Sequence, residues 1–189
     1  MRYDPDHKAR THRRILKNAA RRFRAEGLNG PGVATVMKAS GLTVGGFYEH
    51  FRSKDDLLIQ AVEEGFAEFR EKVFDALKNV PPADRWRGIV RWYLSPEHCD
   101  HSATGCPIAA LAPEIARAAP AVRKRVAQMM KARRERVKEF MPGANAAAKG
   151  KNFNIILRLW PGRSRLLASC LTRRQKILNS MRDHLLESF

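Results

Sequence analysis

Acidic residues are scarce in this chain: 19 Asp+Glu stand against 36 Lys+Arg among 189 residues, a formal net charge of +17 at pH 7. An excess of that size disfavours cationic partners and favours a polyanion, whose condensed counterions are released on contact. Cysteines number only three. An odd count without paired spacing excludes a disulfide framework and fits a reducing compartment. No run approaches the ~18 consecutive apolar residues that a bilayer-spanning helix needs. The opening residues Met1-Arg2-Tyr3-Asp4-Pro5-Asp6 hold no apolar core of a secretory signal. A cytoplasmic location with no membrane partner is therefore expected. Also missing are internal repeats, low-complexity tracts and the alternating runs that mark strands, so the expected fold is all-α.

What is present is basic and helical. Residues 1–54 hold twelve basic and four acidic side chains, which makes this stretch the most densely charged. From Lys8 to Glu26, Ile15, Leu16, Ala19, Ala20 and Phe23 recur at helical steps, with eight Lys/Arg, Arg24 among them, filling most other positions. Gly27 suits a helix C-terminus. Val33–Ala39 reads as a short helix, Gly41 breaks it, and Thr43 can cap a further one from Val44 to His50. Ser53-Lys54-Asp55-Asp56 resembles a capping box with Asp in place of Glu, opening a long helix that Pro81-Pro82 stops. Asp84 can cap the next, running through Trp86, Ile89, Val90, Trp92 and Leu94. Ser95–Gly105 reads as a loop. Pro107 and Pro120 open helices reaching about Ala118 and Met141. Pro142-Gly143 is a break, and the last sixteen residues return to an amphipathic pattern.

Val33–Phe51 has the layout of a helix-turn-helix, with Ser40-Gly41-Leu42 as the tight turn. Leu42, Phe47 and Phe51 can pin the second helix, while Tyr48, His50 and Lys54 face outward as phosphate donors. Thr43 can donate to a phosphate at the helix start. Gly45 and Gly46 in so short a helix cost ~1 kcal/mol each relative to alanine. Close approach of bare backbone to a major groove would offset that cost.

The run from Gly41 through Phe47-Tyr48-Glu49-His50-Phe51 to Lys54 and Leu57 resembles the signature of the tetracycline-repressor (TetR) family, and the likeness extends over about residues 8–66. The resemblance implies an N-terminal three-helix helix-turn-helix domain (1–53) joined to a helical bundle (54–189) for effector binding and dimerisation. It implies a ligand-responsive transcriptional regulator, usually a repressor, that binds a palindromic double-stranded DNA operator as a homodimer and is released by a small molecule. Carried over by position, Thr43, Tyr48, His50 and Lys54 contact phosphates, and Val44, Gly45 and Gly46 face bases. Val44 departs from the polar residue common there, and a thymine methyl is its natural partner.

Elsewhere Phe66, Phe69, Trp86, Trp92, Tyr93 and Met129 are candidates to line an effector pocket, with ordinary core packing as the plainer reading of each. Ile177, Leu178, Met181 and Leu185, with Leu186, are candidates for the dimer interface, paired with the helix after Gly143. His98, Cys99, His101 and Cys106 match no strong zinc spacing, so no metal is expected, and no cofactor. A thiol–imidazole pair among them lacks a third orienting group, so no enzyme is expected. Cys106 before Pro107 invites a redox reading, yet Gly-Cys-Pro serves as a structural helix start in one branch of the resembled family. The basic run over 117–138 reads first as a solvated helix face. Between Glu139 and Asp183 no acidic residue occurs against nine Lys/Arg. The composition of 157–174 is what a short compensated frameshift in GC-rich DNA would leave.

Overall fold

The buried stripe of the first helix organises the N-terminal part. Helix α1 spans Pro5–Glu26, starting at Pro5 rather than at Lys8. Proline's fixed φ and the carboxylate of Asp6 suit a first turn that has no apolar residue to reveal its period. Ile15, Ala19, Ala20 and Phe23 are buried along one side. Gly27 ends the helix with φ +86° and its N–H on the Phe23 carbonyl at 2.8 Å. In the computed structural model residues 5–158 and 171–187 are described, with side chains omitted at 5, 99, 155–158 and 171–178.

Helix α2 (Val33–Ala39) follows, then a 3-10 segment at Val44–Glu49 and the long helix α3 (Lys54–Leu77). After a 3-10 turn at Pro82–Asp84 come α4 (Arg85–Tyr93) and α5 (Pro96–Asp100), and after a second at Ser102–Thr104 come α6 (Pro107–Arg117) and α7 (Pro120–Lys138). Helices α8 (Ala146–Arg158) and α9 (Leu171–Glu187) complete the described elements. All are helical, so the fold is all-α, with no strand among the described residues. The chain packs as two compact units, one of residues up to Phe69 with Ser102–Ala127, the other of Arg70–His101 with the residues from Gln128 onward.

In the first unit α1 packs against α2, α6 and the Ser102–Thr104 turn. Glu114 on α6 accepts the Leu28 N–H at 2.5 Å, tying α6 to the end of α1. Arg24, although charged, belongs to the core of this unit. It is 1% exposed, because it continues the i, i+4 line of buried Leu16 and Ala20. Its guanidinium meets carbonyls from α1, α3 and the Gly105 turn.

In the second unit α4 buries Trp86, Val90 and Tyr93 and packs against α5 and α9. Two sequence expectations need correction here. Asp84 makes no capping bond; its carboxylate instead takes Arg87 at 3.0 Å. The stretch read as a loop contains α5, capped by the Ser95 hydroxyl, which accepts the His98 N–H at 3.2 Å. Ser-Pro at a helix start was the available signal. Arg134 joins α7 to α8 through Asn154 at 2.9 Å.

Candidate nucleic-acid interface

The turn between α2 and the 3-10 segment is built from both sides. Gly41 takes φ +70°, the left-handed region that favours glycine. The Ser40 hydroxyl donates to Val36 O at 2.9 Å, and Asn18 of α1 donates to Ala39 O and Ser40 Oγ, each at 3.0 Å. Asn18 went unremarked in the sequence, where it is one polar residue among many on a basic helix. Phe47 and Phe51 are buried, with ring centroids 5.5 Å apart. They anchor the segment from beneath.

Its outer side is open. Val44 is 51% and Tyr48 79% exposed, and Thr43, Gly45 and Lys54 are exposed beside them. Gly46 and His50 are half-buried. The segment is a 3-10 helix rather than the expected α-helix. Two adjacent glycines weaken an α-helix by their backbone freedom, and few residues are left to form one. Thr43 sits at the N-cap position with extended backbone, but its side chain makes no capping bond, which corrects the expected capping role.

The glycines are not imposed by the protein's own packing. A β-carbon at Gly45 would meet only Thr43 Oγ1 at 3.9 Å, and one at Gly46 only Met37 Cε at 3.8 Å. Both are ordinary van der Waals separations, and neither residue has positive φ.

A hydrogen-bonded chain fixes the end of the segment onto α1 and α3. Ser53 Oγ accepts the Asp56 N–H at 3.1 Å, while Asp56 accepts the Arg52 N–H at 2.9 Å. The capping box therefore closes one residue further back than the usual form. Burial works against an ionised Asp56, but the Arg52 N–H, the Gln60 amide and the Arg52 charge outweigh it and hold the carboxyl below its ordinary value. Gln60 donates to Asp56 at 2.8 Å and its oxygen faces His12 Nε2 at 3.0 Å.

The remaining candidates are dispersed. Phe66 is buried and Phe69 half-buried in the first unit; Trp86, Tyr93 and Met129 are buried and Trp92 half-buried in the second. A narrow crevice in the first unit, with no room for a water molecule, is lined by Phe23, Arg24, Val62, Pro107 and Leu111 among others. Leu185 is 2% exposed within a single chain, while Met181 and Leu186 are half-buried. The side chains of Ile177 and Leu178 lie outside the described residues, as do that of Cys99 and most of 157–174. His98 is buried, bonded through Nδ1 to Tyr93 O at 2.7 Å. Burial keeps its imidazole below the ordinary value. His101 bonds Glu97 O at 2.9 Å, and Cys106 is buried.

Residues 15–61 match the model of a family described as bacterial regulatory proteins, tetR family. The chain is 31% identical over 103 residues to the HTH-type transcriptional regulator LmrA of Bacillus subtilis (strain 168), covering 53% of this chain and 55% of that protein. It thus spans about half the length of the curated relative that it matches. Among solved structures, a TetR transcriptional regulator from Chloroflexus aurantiacus J-10-FL superposes with TM-score 0.74 at 22% identity, over 95% of this chain and 94% of that one. A TetR-family regulator from Cytophaga hutchinsonii gives 0.77 at 15%, over 98% of both. The reduced form of E. coli NemR gives 0.73 at 17%, over 93% of this chain and 95% of its own. At these identities the likeness concerns the fold. No described helix is long and apolar enough to cross a membrane.

Proposed function

We propose that this chain, whose residues 15–61 match the tetR family of bacterial regulatory proteins, is a DNA-binding repressor that binds a palindromic operator as a homodimer and is released by a small molecule. Residues 1–53 bind DNA and 54–189 bind the effector and dimerise. The observation that carries the reading is the bare backbone at exposed Gly45 and half-buried Gly46, where the protein's own atoms leave room for β-carbons that are not there. Backbone can approach base edges at that point, with Val44 beside it for a thymine methyl. Thr43, Tyr48, His50 and Lys54 surround it as phosphate donors that set the register.

One copy offers few base contacts, and each good bidentate contact is worth only ~1–3 kcal/mol. Specific sites are separated from non-specific ones by ~4–10 kcal/mol. Two copies related by a two-fold axis can supply the difference across two half-sites. The interface is assigned to α8 and α9, with Met181 the half-buried candidate, Leu185 supporting α9 from within its own chain, and Ile177 and Leu178 completing the apolar set. The effector's surroundings are drawn from Phe66, Phe69, Trp86, Trp92, Tyr93 and Met129. The test compares affinity for DNA upstream of the gene with that for a scrambled duplex at two salt concentrations. A regulator keeps a large preference at the higher salt, whereas a binder driven by charge alone loses both affinities together.

A further inference from the structure

Two histidines from different elements meet beside the DNA-facing surface. The rings of His12 on α1 and His50 at the end of the 3-10 segment have centroids 5.7 Å apart, and His12 stacks on Phe51 at 4.8 Å. The hydrogen bonds behind them fix one tautomer. An ionised Asp56 only accepts, so Gln60 turns its amide nitrogen toward Asp56 and its oxygen toward His12. His12 Nε2 therefore carries a hydrogen and donates it.

His50 is placed differently. Its Nδ1 is buried without a hydrogen-bond partner, so a proton there meets no acceptor, and the neutral ring with its hydrogen on Nε2 is favoured. The surrounding groups reinforce this. Burial first, then His12 and Lys8 on α1, hold His50 below its ordinary value, and only the adjoining Glu49 acts the other way. Asp56 on α3, the other acid in this cluster, is already engaged by the Arg52 N–H and Gln60. A DNA phosphate at His50 would bring the counter-charge that this corner lacks.

We propose that DNA binding takes up a proton at His50, and that His12 is the positioning residue that sets the pH at which it does so. The proposal rests on the placement of His50 against a phosphate given above. The free ring favours the neutral form with its hydrogen on Nε2; in the complex a proton from solvent adds at Nδ1, where it has no acceptor, and the phosphate charge met by Nε2–H offsets that cost. The bound state holds the proton more tightly than the free state, so the added affinity is present at low pH and is lost as pH rises through the bound-state value. With two copies of His50 in a dimer, affinity changes by up to ~100-fold per pH unit inside that window.

The experiment measures fluorescence anisotropy of the upstream duplex from about pH 6 to about pH 8 at fixed salt, with NMR titration of the His50 ring in the free protein. Variants are His50→Gln, His12→Gln and His12→Phe, the last keeping the stack on Phe51, with Lys54→Ala alongside. Wild-type affinity should fall at least ~10-fold between about pH 6.5 and 7.5. His50→Gln should bind with an affinity that is flat across that range. Both His12 variants should move the fall, and the His50 titration, to higher pH. Equal pH dependence in wild type and His50→Gln, with Lys54→Ala still weakening binding, overturns the proton uptake and leaves the DNA surface in place. An unmoved His50 titration in both His12 variants overturns the role of His12. If neither His50→Gln nor Lys54→Ala alters affinity at any pH, the DNA surface itself is misplaced and the proposal falls with it.

Discussion

Replacing Arg24 by Met removes a buried cation while keeping most of the aliphatic stem. The guanidinium donates through Nε to Ala20 O at 3.1 Å, through Nη1 to Gly65 O and Gly105 O at 3.1 Å each, and through Nη2 to Glu68 at 2.5 Å. Burial, opposed by the hydrogen bond and charge of Glu68, leaves Arg24 below its ordinary value, so the site holds the cation at a desolvation cost. Without it, three carbonyls lose a hydrogen bond. Glu68, whose side chain is 12% exposed, keeps only the exposed Arg21 at 3.6 Å. Removing one partner of a buried pair costs ~3–5 kcal/mol, a large part of the ~5–15 kcal/mol that holds a domain together. Arg24→Met should therefore lower the unfolding free energy by ~3–4 kcal/mol in urea titrations followed by helical circular dichroism. Glu68→Gln should cost less, because Arg24 retains its three carbonyls. The double variant should reveal a coupling of ~1–3 kcal/mol. A loss under ~1 kcal/mol for Arg24→Met, with unchanged denaturant dependence, would refute the reasoning.

The other predictions concern the interface and its support. Lys54→Ala should weaken specific and non-specific binding alike and lower the slope of log K against log salt by about one per copy; Tyr48→Phe should weaken both without that change in slope. Asp56 is depressed in the folded state, so its stabilisation is complete above the unfolded value of 3.8 and is lost as pH falls through the folded value. Asp56→Asn should therefore destabilise the protein at neutral pH and converge with wild type in acid, as read by thermal melts across pH. Met181→Glu with Leu186→Glu should yield monomers in sedimentation that keep weak, salt-sensitive DNA affinity but lose operator preference.

How much was legible in the sequence differs by element. Helix α1 announced itself because Ile15, Ala19 and Phe23 repeat at its period and Gly27 closes it, and the glycine at 41 marked the turn. The burial of Arg24 was not read from the sequence, although its step of four from Ala20 lies on the buried line. Helix α5 was missed because a single turn carries no periodicity, leaving only Ser95-Pro96 as a signal. The 3-10 form of Val44–Glu49 follows from a balance of glycine freedom against the pull of Phe47 and Phe51, which residue type alone does not weigh. The links from Asn18 to the turn, and from His12 through Gln60 to Asp56, join residues far apart in the chain. Neither has a local pattern.

The central claim is that bare backbone at Gly45 and Gly46 meets the bases of an operator. The most direct measurement is the ratio of affinities of Gly45→Leu for the palindrome footprinted upstream of the gene and for a scrambled duplex, taken beside its thermal stability. The ordinary van der Waals clearance for a β-carbon at this position predicts a variant that folds at least as stably as wild type, with its preference for the palindrome lost and its salt-sensitive affinity for scrambled DNA retained. A Gly45→Leu protein that keeps the full preference would contradict the claim and move base recognition to another part of the chain.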